Sequence, residues 1–235
     1  MTAYQVAATF HIAAGVVALI TFWVNGLMKK GTALHRRMGQ VYLLAMLGII
    51  ISGVPLVFAM LERGDQLSAV FLTYLLVLVS NSCWNSWRSV RDRRDYKRYF
   101  GPMFWSLATI TAASGIALMV IGVAIGQPLF AIFGSIGVVG LITSAMSRRR
   151  APSTPNWWLR EHYGAMIGNG VATHIAFLAI GLRNALPGVD PMIQQNLAWF
   201  GPLLGALAAG IWLNRKYGGA KAKPPATVAR ALAEA

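Results

Sequence analysis

Seven long apolar runs, at about residues 4–28, 36–61, 67–88, 103–126, 129–147, 160–183 and 195–213, divide the chain, each set off by a short polar stretch. A helix crosses the hydrocarbon core of a bilayer with about 20 apolar residues. The pattern therefore predicts an all-α integral membrane bundle of seven transmembrane helices. The first run has no basic segment before it and is too long for a cleaved signal peptide, so it reads as a span. Residues 1–217 form the seven-helix domain. The remainder, 218–235, reads as a mobile basic cytoplasmic tail rich in Gly, Pro, Ala and Lys, close enough to the membrane to brush anionic lipid head groups.

The polar stretches alternate in charge. Segments 29–35, 89–102 and 148–159 are rich in Arg and Lys, whereas "ERGD" (62–65), "GQP" (126–128) and "RNALPGVDP" (183–191) are not. Nineteen of the 21 Lys and Arg residues fall on one side of this map, and only Arg63 and Arg183 on the other. Cytoplasmic loops carry the excess of Lys and Arg, which places the N-terminus outside and the C-terminus in the cytoplasm.

Composition narrows the function classes. The chain is 56% hydrophobic and 12% charged, against about 25% charged in soluble domains. Its net charge of +14 would suit nucleic acid, but the cations lie in the gaps between apolar runs and form no stripe or patch. The expected surroundings are a lipid bilayer, with no nucleic-acid partner. The single cysteine, Cys83, excludes an internal disulfide, a cysteine-rich zinc site and a covalent c-type haem. Glu62, Asp65 and Asp190 fall in outer loops, and Asp92, Asp95, Glu161 and Glu234 in cytoplasmic ones, so no carboxylate is expected in mid-membrane. A buried Asp or Glu commonly marks a proton or ion pathway, and those classes lose support.

Four histidines are the main candidates for chemistry. His11 on the first span and His174 on the sixth are expected at similar depth in the outer leaflet, while His35 and His162 stand at the cytoplasmic entrances of the second and sixth. Imidazoles from two helices are how a non-covalent b-type haem is often held in a bundle. His162 and His174 are twelve residues apart, which leaves them about 120° apart around one helix, so a two-haem arrangement on one face is disfavoured. The alternative for His35 and His162 is contact with lipid head groups or helix-end carbonyls. For His11 and His174 it is a hydrogen bond to a hydroxyl or a carbonyl. Asn81 and Asn85 near the end of the third span, with Asn169, Thr173 and Tyr42, are candidates to line a cavity opening to the cytoplasm, or else to join helices by hydrogen bonds. Trp84, Trp87, Trp157 and Trp158 fit an interfacial aromatic belt.

The segments "LHRRMGQVYLLAM" and "REHYGAMIGNGVATHIAF" resemble a family of uncharacterised bacterial polytopic membrane proteins, marked by Leu-His-Arg-x-x-Gly and by a later His-x-x-x-Met helix ending in Ala-Phe. The resemblance covers about a third of the chain. It singles out His35, Arg36, Gly39, Tyr42, His162 and Met166 and implies topology without an activity.

Three function classes follow. One is a redox protein of a bacterial inner membrane whose histidines hold a b-type haem or a metal, with quinone as a possible electron partner. The second is a non-catalytic accessory or assembly subunit of a larger membrane complex, with other membrane subunits as partners. The third, a metal-dependent intramembrane hydrolase, lacks both a His-x-x-x-His pair and an intramembrane Asp. Two structural expectations accompany them. Glycine-bearing helix starts after the basic loops suggest three hairpins joined through those loops, followed by a lone last helix. The second and sixth spans are expected to be neighbours, with His35 and His162 pointing inward and Gly39 and Gly164 allowing close backbone approach.

Overall fold

A computed structural model describes residues 2–217; the predicted tail, 218–235, lies outside the described residues. Among the described residues the regular structure is all helical: α1 (Ala3–Leu27), α2 (Ala33–Glu62), α3 (Gln66–Arg91), α4 (Tyr96–Tyr99), α5 (Pro102–Ala124), α6 (Pro128–Arg150), α7 (Trp157–Ala185) and α8 (Pro191–Tyr217), with a 3-10 turn at Ala151–Ser153. Seven of these helices are long and apolar enough to cross a membrane. The exception is the four-residue α4.

Local chemistry explains the boundaries. Thr2 and Gln5 form a reciprocal capping box at the start of α1, and Thr32 and Asp65 cap α2 and α3 by accepting backbone N–H bonds from His35 and Ser68. Pro102 and Pro128 occupy the first turns of α5 and α6, where a missing N–H costs nothing. The turn between α1 and α2 passes through Gly31 with φ +79°, a conformation glycine adopts without strain.

The best-packed sequential pairs are α1 with α2, α5 with α6 and α7 with α8, while α3 stands alone in sequence and packs on α7, α2 and α5. The expected hairpins therefore pair differently. Only the first is joined by a basic loop; the other two turn at the "GQP" and "RNALPGVDP" stretches. The reason is steric. A Cβ on Gly115 would overlap the carbonyl of Gly134, and one on Gly137 would overlap the carbonyl of Thr111, so α5 and α6 touch backbone to backbone.

Two apolar clusters hold the rest in place. Phe71, Tyr74, Leu118, Phe130, Phe133 and Ile175 tie α3 to α5, α6 and α7. At the basic end, Tyr99, Phe100, Phe104, Ala151 and Trp157 make an aromatic floor, so the 89–102 segment is folded and partly buried where a simple basic loop was expected. Trp157, part of that floor, is also the first residue of α7. Glu161 consequently lies inside α7, where a cytoplasmic loop position was expected.

Candidate functional site at the basic end of the bundle

Helices α1, α2, α3 and α7 enclose a shared interior. Ala18, Tyr42, Ala45, Met46 and Val79 are its buried centre, flanked by Phe22, Cys83 and Met166. Cross-links fix the register. Ser82 donates to the Ala165 carbonyl at 2.9 Å, Cys83 lies 3.7 Å from Asn169 Oδ1, and His162 Nδ1 donates to the Ser86 carbonyl at 3.1 Å. Thr173 donates to the Asn169 carbonyl at 3.0 Å, and the Tyr42 hydroxyl donates to Thr173 Oγ1 at 3.4 Å.

His35 and His162 stand at the basic mouth of this interior. The two imidazoles lie within electrostatic range of each other, and Lys30 within range of both. Nδ1 of His35 is shielded from solvent and has no hydrogen-bond partner. Helices α2 and α7 touch deeper in the bundle, through Tyr42 and Thr173, their main backbone packing being on α1, α3 and α8. The expected glycine contact is absent: neither Gly39 nor Gly164 has an atom within 4 Å of where a Cβ would lie.

Lys30, in the sequence one orientation charge among many, is a site residue in the structure. Its ammonium caps α1 by donating to the carbonyls of Asn25 and, at 2.7 Å, of Gly26. Burial, and then the charge of Lys216 on α8, hold its pKa below the ordinary lysine value. Asn25, at 5% exposure, was missed as well. The available signal was an asparagine placed in the last turn of an otherwise apolar run.

The outer pair is not a pair. His11 Nδ1 donates at 2.9 Å to Ser52 Oγ, which passes its own proton to the Gly48 carbonyl at 2.7 Å. His174 donates from Nδ1 to the Gly170 carbonyl at 2.7 Å and packs edge-on against Phe22 and Trp23, with ring centroids 5.3 and 5.5 Å away. Phe22 is eleven residues beyond His11 on α1, about 16 Å of rise, so the two imidazoles cannot share one iron. The depth expectation fails because of the packing register: Phe22, far along α1 from His11, is the residue set against Gly170 and His174.

The candidate cavity residues also divide. Tyr42, Asn169 and Thr173 are brought together. Asn81 and Asn85 bond to each other at 3.1 Å, on the face of α3 that carries Tyr74 seven residues earlier. The Tyr74 hydroxyl donates to the Phe133 carbonyl at 2.8 Å and accepts from the Gly137 N–H at 3.1 Å, so that face turns towards α6, away from Asn169.

Compared with protein-family models, curated proteins and solved structures, the chain has no match in any of the three. Among the described residues, no three His, Cys, Asp or Glu side chains are grouped to hold a metal ion; the convergent imidazoles number two.

Proposed function

We propose that this chain is a redox protein of a bacterial inner membrane, with its N-terminus outside and its C-terminus in the cytoplasm, that holds one b-type haem at its cytoplasmic end through His162 and His35. The observation that carries this reading is the hydrogen bond from His162 Nδ1 to the Ser86 carbonyl at 3.1 Å. A backbone carbonyl on Nδ1 fixes the tautomer, orients the ring and leaves Nε2 with its lone pair as a ligand atom.

His35 supports the reading from the facing helix, with Nδ1 shielded and unpaired at the same mouth. A haem also brings two propionates, which need cations, and Lys30 lies within charge range of both imidazoles. The group supplies a one-electron couple whose potential follows its axial ligands and burial. The chain's own part is to fix the two rings, exclude water by the Tyr42 and Met46 layer above them, and offer cations at the rim. The orientation rests on the nineteen-to-two division of Lys and Arg.

The test is a reduced-minus-oxidised absorbance spectrum of the purified full chain, grown with ample haem. A b-type spectrum is expected in the wild type and is expected to vanish in His162→Ala and His35→Ala, but to persist in His11→Gln. A colourless wild-type protein overturns the reading and leaves the accessory-subunit class in its place. A spectrum that survives both inner substitutions overturns the ligand assignment.

A further inference from the structure

Two turns inside the mouth, two asparagine side chains from facing helices present polar atoms that nothing in the bundle uses. Asn169 is 0% exposed and Asn25 5%. Nδ2 of Asn169 and both Nδ2 and Oδ1 of Asn25 are buried without a hydrogen-bond partner. They occupy one layer. Phe22 packs on the Cα of Gly170, which sets α1 against α7. Asn25 is three residues past Phe22 and Asn169 one residue before Gly170 on an antiparallel helix, so they differ by only about 3 Å along the axis.

Apart from Nε2 of His174, five residues further along α7 and also buried without a partner, the neighbouring polar groups already have partners. Thr173 donates to the Asn169 carbonyl, Cys83 approaches Asn169 Oδ1, and Thr21 donates to the carbonyls of Val17 and Ala18. Two amide donors and one amide acceptor are left over. Buried polar groups in folded proteins are paired almost without exception, so this remainder specifies a partner: one that mainly accepts hydrogen bonds and can also donate one.

The surroundings narrow its chemistry further. No carboxylate, lysine or arginine lies among the buried residues of this interior. The partner is therefore uncharged. The walls are apolar and aromatic, with the rings of Phe22 and Tyr42 5.9 Å apart. The layer lies along α1 and α7, both long and apolar enough to cross a membrane, so a lipid-soluble molecule suits its surroundings.

We propose that the Asn25–Asn169 layer binds the head group of a membrane quinone. A quinone carbonyl oxygen accepts from the two Nδ2 groups, and the hydroxyl of the reduced form donates to Asn25 Oδ1. The site is separate from the His35–His162 pair and uses different side chains.

The experiment uses the full chain in lipid nanodiscs, photolabelled with an azido-quinone and mapped by peptide mass spectrometry, with decylubiquinone as competitor. Label is expected in segments 18–26 and 166–173 and is expected to be displaced by the competitor. Asn169→Leu and Asn25→Leu should each weaken the competitor's apparent affinity at least about ten-fold, the loss typical of a site whose polar recognition is removed. Ser135→Ala on α6 should leave it within two-fold. Asn169→Ser provides the readout if the leucine variant is not monodisperse, and a several-fold loss is expected there. Label spread over the lipid-facing helices without competition overturns the proposal. So does unchanged affinity in the Asn169 and Asn25 variants, which would mark the two amides as bridged by water alone. The measurement needs no haem, so a colourless protein that binds the quinone ends the haem reading and leaves this one standing.

Discussion

Tyr99 shows how much one side chain in a basic stretch can do. It is 2% exposed, and its hydroxyl donates to Glu161 Oε2 at 3.2 Å, linking the end of α4 to α7. Burial first, and the Glu161 charge second, push its pKa well above the ordinary tyrosine value, so it remains a donor throughout the working pH range. Asp92, 4% exposed, is held beside it by Arg88 and by Arg98, the latter at 3.4 Å. Tyr99→Phe keeps the aromatic packing and removes the hydrogen bond, at an expected loss of about 1–2 kcal/mol. In a chain of this size that is a fall of roughly 3–6 °C in Tm, readable by thermal unfolding in detergent. An unchanged Tm would show that the Tyr99–Glu161 bond contributes nothing to stability. In the sequence, "DRRDYKRYFGP" shows only its charges. That Tyr99 and Phe100 turn inward is decided by Phe104 and Trp157, which belong to other helices.

Glycines on the helices have different fates that their spacing does not reveal. Gly115, Gly134 and Gly137 lie in the α5–α6 seam, whereas Gly205 and Gly210 on α8 have nothing within 4 Å and Gly201 meets only its own helix's Leu197. The small-residue runs in "SGIALMVIG", "GSIGVVG" and "GPLLGALAAG" look alike on paper. Gly134→Leu would force its side chain into the Gly115 carbonyl and the Met119 backbone, costing about 3 kcal/mol or more because backbone cannot move aside as a side chain can. Gly205→Leu should be silent to within about 0.5 kcal/mol. Size-exclusion profiles and thermal unfolding of the two variants check both outcomes. Equal effects would contradict the packing described.

Across the whole bundle, the charge asymmetry and the helix count make one joint claim about orientation. A reporter fused after Arg98 is expected to be cytoplasmic, and one inserted at Gly64 external, because Lys and Arg near span ends hold their loops inside. Exposure of segment 89–102 on the outer side would invert the map, and with it the side from which the His35–His162 mouth opens.

Span number and approximate span limits were determined by the amino-acid sequence alone, because twenty apolar residues in a row have few other solutions in a lipid solvent. So was the gathering of cations at one end, since charge near a span end is set by local composition. What only the tertiary structure decided is which polar residues share a space. His11 and His174 matched in expected depth, yet Ser52 and the Gly170 carbonyl bond them separately. Asn81 and Asn85 share polarity with Asn169 but pair with each other on the Tyr74 face of α3. Asn25, ordinary in the sequence, came to lie at the depth of Asn169, and Lys30 within charge range of His35. Composition fixes how deep a side chain can lie. Its azimuth around the helix, and so its neighbours, depends on how α1, α2, α3 and α7 rotate to bury their large side chains, a choice made by all four helices together.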